Sequence, residues 1–94
     1  MTKEEFLKKA ETGDVVLIDI REAAELAMHT SPAQARHIAM SEMVEAEAKG
    51  ELPKDKVIVT ICHSGGRCLP VNGYLMSRGY QVDHIEGGMM GWGG

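Results

Sequence analysis

The run Val57-Ile58-Val59-Thr60-Ile61 constrains the fold more than any other part of the chain. Its residues are mostly β-branched and follow the turn-like Pro53-Lys54-Asp55-Lys56, so it reads as a short buried strand. Cys62-His63-Ser64-Gly65-Gly66-Arg67 comes directly after it. Beyond Arg67 the pattern turns helical. Pro70 is tolerated in a first turn, Leu69, Leu75 and Met76 are the apolar positions, and Arg78-Gly79 gives a basic last turn and a stop. The local order is strand, tight loop, helix, with a cysteine as the first loop residue.

That order has chemical consequences. Adjacent glycines let successive N–H groups turn inward and form a concavity that binds anions. The helix start behind the loop adds unpaired N–H donors and about half a positive charge. A thiol at the centre of such a ring ionises more easily than the ~8.5 of an ordinary cysteine, and the thiolate is the reactive form. Arg67 brings an always-charged fork suited to an oxyanion. The competing reading is an inert cysteine buried in a strand-to-helix turn. The agreement of glycine pair, arginine and context favours the reactive one.

A second continuous apolar run, Val15-Val16-Leu17-Ile18, fits a strand covered on both faces and ends in Asp19-Ile20-Arg21-Glu22. Charged residues beyond the carboxyl end of a parallel strand stand where open α/β sheets bind ligands. Asp19 and Arg21 read better as braces of neighbouring loops, since ion-pair networks there are often structural. Ahead of this strand, Thr2 and Glu5 form a capping box for a short helix with Phe6, Leu7 and Ala10 at apolar positions, stopped by Gly13. After it, Glu22 to Met28 reads as a short helix and residues 29 to 34 as a loop broken by Pro32, with His29 a surface histidine. Arg36 to Ala39 is a weak strand. Ser41 caps a helix from Glu42 to Lys49 ended by Gly50, with Met40, Met43, Val44 and Glu47 at helical spacing. Tyr80 to Ile85 is a further strand, and Gly87-Gly88 turns into a final segment holding Trp92. Strands alternating with helices imply one α/β domain over residues 1–94, a parallel sheet joined by right-handed crossovers.

Charge and cysteine content exclude several functions. A net charge of −4 without a basic tract speaks against nucleic acid, and leaves any anionic substrate to be drawn by the loop's own positive groups. No apolar stretch approaches the ~20 residues of a membrane span, and the first residues lack the order of a signal peptide, so the cytoplasm is the expected location. There the two cysteines, Cys62 and Cys68, are expected as thiols. Their spacing, and histidines scattered at 29, 37, 63 and 84, argue against a metal site. No cofactor is expected.

The loop Cys-x-x-Gly-x-Arg after a strand resembles the active-site loop of rhodanese-like sulfurtransferases. Leu17-Ile18-Asp19-Ile20-Arg21-Glu22 is similar to that family's L-I-D-V-R-E segment, and Ile85 to Trp92 to its L-E-G-G-M-x-x-W close. Ala35 to Ser41 resembles its A-x-x-I-P-x-S region. The loop at 29–34 keeps His29 and Pro32 but lacks the family's two glycines. The likeness runs from about residue 3 to 92 with every motif in order. It implies a small parallel sheet of four to five strands flanked by helices on both faces. An extra first strand and a C-terminal helix, common in the family, fall outside the sequence.

The resemblance also implies a sulfurtransferase with Cys62 carrying a persulfide. His63, Ser64, Gly65, Gly66 and Arg67 would form the substrate-binding loop, with Asp19 and Arg21 supporting it. The donor would be a small sulfur-containing anion such as thiosulfate or polysulfide, and the acceptor a thiol or a protein. Two rivals stand beside this reading. One is a rhodanese-like module that only binds a partner. The other is a cysteine phosphatase or arsenate reductase, whose loops place five residues between Cys and Arg, against four here.

Overall fold

The protein is described by a computed structural model covering residues 1–64 and 66–92. Four parallel strands form one sheet in the order β2-β1-β3-β4: β1 Val15–Asp19, β2 Ala35–His37, β3 Val57–Ile61 and β4 Gln81–His84. Helices α1 Lys3–Ala10, α2 Met43–Ala48, α3 Cys68–Ser77 and α4 Gly88–Trp92 complete it. The two apolar runs become the inner strands. Leu17 is level with both Ala35 and Val59, and Thr60 is level with His84.

Period-two alternation along β1 and β3 divides the core in two. Ile18 and Ile58 pack with Met43, Ala46, Val71 and Leu75 from α2 and α3. Val15, Leu17, Val59 and Ile61 pack on the other face with Phe6 of α1 and Trp92 of α4, whose rings are 6.0 Å apart. The sheet is therefore covered on both faces, as expected. The chain leaves β1 to one side and returns to β3 on the other, so the strand order reverses between them. That is where α/β sheets form their ligand crevices, and Asp19 and Cys62 stand at its carboxyl edge.

The capping box of α1 forms as read, with Glu5 N–H donating to Thr2 Oγ1 at 3.1 Å and Thr2 N–H to Glu5 Oε1 at 2.9 Å. Several boundaries differ. The stretch read as a helix from Glu22 to Met28 is a tight 3-10 turn, Ala23–Ala27. Its ends close through i→i+3 bonds, Glu25 N–H to Glu22 O at 2.9 Å and Met28 N–H to Glu25 O at 3.0 Å. Ser41 does not cap a helix. It sits inside a 3-10 turn, Met40–Glu42, and its hydroxyl donates to Glu22 Oε1 at 2.8 Å, so α2 starts only at Met43. Of the residues at helical spacing there, Met43 is core, while Met40 and Val44 are exposed. β4 is shorter at both ends than Tyr80 to Ile85; at its start, Tyr80 N–H is held by Leu75 O at the end of α3. β2 begins one residue early and ends at His37.

Candidate active site

Cys62 is the first residue after β3 and is 1% exposed. Its backbone is fixed from the far side by α4. Met89 N–H donates to Cys62 O at 2.7 Å and Met90 N–H to His63 O at 3.3 Å. Trans peptide planes place each carbonyl opposite the next N–H. The amides of His63 and Ser64 therefore point away from α4, toward the half of the molecule where Cys62 packs with Cys68 and Val71. This close approach requires Gly88. Its φ is +58°, and a Cβ there would lie 2.3 Å from Cys62 O and 2.7 Å from His63 O. α3 starts at Cys68, six residues on, and brings the Cys68 side chain against Cys62 from the other side of the loop.

The two sulfur atoms are in contact, with Cys68 Sγ donating to Cys62 Sγ at 3.5 Å, and no disulfide joins them. Cys68 is completely buried. Its hydrogen bond to Cys62, together with burial, pushes its thiol well above the usual cysteine range, so Cys68 stays protonated.

Arg67, read as a fork open to an anion, is engaged within the protein. Its Nη1 donates to Glu25 Oε2 at 2.7 Å and its Nη2 to Glu25 Oε1 at 2.6 Å, a bidentate clasp between the loop's end and the turn after β1. The Arg67 hydrogen bonds lower the Glu25 carboxyl to about 2, helped by the backbone N–H of Glu22. Glu25 escaped the sequence reading because its visible role was to cap its own turn: it does accept Glu22 N–H, at 2.8 Å. Nothing local shows that the same carboxylate reaches 42 residues along the chain.

Asp19 and Arg21 form a buried pair, 0% and 1% exposed. Arg21 Nη2 donates to Asp19 Oδ2 at 2.8 Å, and the backbone N–H of Arg21 donates to Oδ1 at 3.0 Å. The Ser31 hydroxyl also donates to Asp19 Oδ2, at 2.8 Å. Burial raises the Asp19 carboxyl, but these bonds outweigh it and hold the group below its usual range. Arg21 O meets His37 Nε2 at 2.6 Å. The pair thus ties β1, β2 and the 29–34 loop together at the sheet edge.

His63 and Ser64 are exposed. The His29 ring, also exposed, lies 6.2 Å from that of His63. Arg21, Glu25, Met28, His29 and His63 line an open hollow of about 270 Å³. The hollow gathers a histidine that the sequence reading left on the surface. Gly66 is exposed with open space around it, and Gly65 lies outside the described residues. Among the described residues no group of histidines, cysteines and carboxylates is arranged to hold a metal ion, and no helix is long and apolar enough to cross a membrane.

A parallel α/β sheet with a cysteine at its switch point, its carbonyl held by α4 and its sulfur against α3, defines the class of domain, and comparison with known proteins narrows it. The rhodanese-like domain profile matches residues 2–94. "Putative sulfurtransferase YtwF" of Bacillus subtilis (strain 168) is 43% identical over 81 residues, covering 86% of this chain and 76% of that protein. A protein named "Sulfurtransferase" from Allochromatium vinosum is 37% identical over 87 residues, covering 88% and 76%. The crystal structure of a rhodanese-like domain protein from Staphylococcus aureus superposes with a TM-score of 0.80 at 30% identity, covering 99% of this chain and 89% of that one. The chain belongs to the rhodanese-like domain family, and sulfur transfer is the activity class these relatives support.

Proposed function

We propose that the protein transfers sulfane sulfur through a persulfide on Cys62. The Cys62 thiolate attacks the outer sulfur of a small anionic donor. With thiosulfate, a Cys62–sulfur bond forms, the donor's sulfur–sulfur bond breaks, and sulfite leaves with the electron pair. A second nucleophile, a thiol or a protein cysteine, then takes the outer sulfur and restores the thiolate. Two displacements through a covalent intermediate give ping-pong kinetics.

The observation that carries this reading is the placing of Cys62 at the end of β3, with the His63 and Ser64 amides turned to its side by α4 and the start of α3 behind it. Such preset N–H groups stabilise the negative charge that the outer sulfur acquires, as an oxyanion hole does for oxygen. Because Cys62 is 1% exposed, an acceptor reaches only a sulfur that projects beyond it. The Glu25–Arg67 clasp fixes the loop's far end, and Glu25 also lines the hollow that holds His29 and His63.

Intact-protein mass spectrometry after incubation with thiosulfate or polysulfide tests the proposal. One added sulfur is expected on the native chain and none on Cys62→Ala. A native chain that takes up no sulfur from any donor, while folded, overturns it.

A further inference from the structure

Cys68 has no part in the transfer cycle, yet its thiol touches the reacting cysteine from inside the protein. We propose that Cys68 is a resolving thiol giving the domain a second outcome: reduction of the bound sulfane sulfur to sulfide, with formation of a Cys62–Cys68 disulfide. The proposal rests on the persulfide reading above.

The geometry separates two reactions of one intermediate. A persulfide on Cys62 has an inner sulfur, the original Sγ, and an outer one. Solvent reaches almost none of the inner sulfur, since Cys62 is 1% exposed, so external acceptors attack the outer atom and carry it away. The inner sulfur is in contact with Cys68 Sγ, at 3.5 Å. Attack from that side forms the Cys62–Cys68 bond and breaks the bond to the outer sulfur, which leaves as hydrosulfide. The balance is Cys62–S–S⁻ plus Cys68–SH giving Cys62–S–S–Cys68 plus HS⁻. Two cysteine sulfurs are oxidised, the sulfane sulfur takes up both electrons, and the Cys68 proton leaves on the sulfide. An external dithiol reductant, such as dithiothreitol in an assay, returns the pair to thiols.

The resting protein holds this second route back. Cys68 is kept protonated by its hydrogen bond to Cys62 and by burial, and a thiol is a far weaker nucleophile than a thiolate. Loading sulfur moves the negative charge one atom outward, away from Cys68, and weakens that restraint. With an acceptor at hand, transfer from the exposed end wins; without one, internal attack disposes of the sulfur.

The test loads the native chain and Cys68→Ser with polysulfide, removes small molecules, and holds both anaerobically without acceptor. Sulfide is measured alongside intact mass. Trypsin cuts after Lys56, Arg67 and Arg78, so the cysteines fall on separate peptides that stay linked only through a disulfide. The native chain is expected to change from one sulfur heavier to two hydrogens lighter than the reduced form, releasing one sulfide and yielding the linked peptides. Cys68→Ser, and Cys68→Ala beside it, are expected to keep the added sulfur and release sulfide at least ~10-fold more slowly, because they lack a nucleophile held in contact. A native persulfide as long-lived as that of the variants overturns the proposal, as does sulfide release without linked peptides. Should neither chain take up sulfur at all, it is the sulfurtransferase reading that fails, and the reductive step falls with it.

Discussion

Replacing Gly88 with alanine tests how the site is held, because the added methyl would enter the backbone of the cysteine loop. An ideal Cβ would lie 2.3 Å from Cys62 O, 2.7 Å from His63 O and 2.8 Å from the His63 carbonyl carbon, all backbone atoms that no rotamer change can move aside. Relief needs a shift of roughly 1 Å between α4 and the loop, enough to forfeit up to about half of the attraction of each close contact it opens. That shift breaks the bonds from Met89 and Met90 to the same two carbonyls, each worth about 0.5–1.5 kcal/mol net. The left-handed φ of +58° adds a penalty for a non-glycine residue, about 1 kcal/mol. The expected loss is about 2–4 kcal/mol, which for a domain of this size lowers Tm by about 10 °C or more.

Gly50→Ala is the matched control. Gly50 has a φ of +73° with nothing within 4 Å of its would-be Cβ, so only the conformational penalty of about 1 kcal/mol applies. Urea unfolding with fitted m-values gives both stabilities, and sulfur-transfer rates corrected for folded fraction give the effect on the site. Gly88→Ala is expected to lose most transfer activity even when folded, and Gly50→Ala to keep it. Equal stability losses in the two variants, with transfer intact in both, would refute the close-approach argument.

Asp19→Asn leaves the Arg21 guanidinium buried without its counter-charge, and should cost about 3–5 kcal/mol by urea unfolding; a loss below ~1 kcal/mol would mean that the pair is not what ties the sheet edge. The Glu25 carboxyl is lowered to about 2, so its ionised form adds stability that is fully present above the usual carboxylate range and is lost as pH falls toward 2. Glu25→Gln should flatten the acid side of the stability–pH curve in that window by about 1 kcal/mol at most, because both partners are about one-third exposed; an unchanged curve would contradict the clasp. Iodoacetamide labelling across pH, read by peptide mass, should modify Cys62 before Cys68, since both are buried at rest but Cys68 is held protonated by its hydrogen bond to Cys62; equal rates at every pH would sink that ordering. With four residues between Cys62 and Arg67, and with Arg67 held by Glu25, the native chain should not hydrolyse p-nitrophenyl phosphate. Turnover there without sulfur uptake would favour the phosphatase reading.

What the sequence revealed was mostly local. β3, the capping box of α1, the stop at Gly79 and the apolar run of β1 each depend on residues adjacent in the chain, and each forms as read. What was misread or missed falls where a side chain leaves its own segment. Ser41 gives its hydroxyl to Glu22, 19 residues away, and the expected cap disappears. Glu25 looks like a turn-capping residue and is one, while its second engagement with Arg67 is decided by the packing of β1 against β3. His29 is a surface histidine as read, but its loop follows a path no local signal sets, and only the fold brings it beside His63. The Gly87-Gly88 pair announced a turn, yet its tight fit under the Cys62 carbonyl belongs to the tertiary structure alone.

The strand order also bears on how the chain behaves when crowded. Val15-Val16-Leu17-Ile18 and Val57-Ile58-Val59-Thr60-Ile61 are uncharged, β-prone and free of proline, the composition that seeds cross-β stacking. In the native sheet both are flanked on each side by a paired strand. The open edges fall to β2, three residues long and carrying Arg36 and His37, and to β4, four residues long and carrying Asp83 and His84. Short, charged edges are poor templates for another chain. Detachment of β2, held to β1 by only three residue pairs, would bare the flank of β1. Fraying of that one small strand, without global unfolding, would be enough to expose a β-prone flank to another chain.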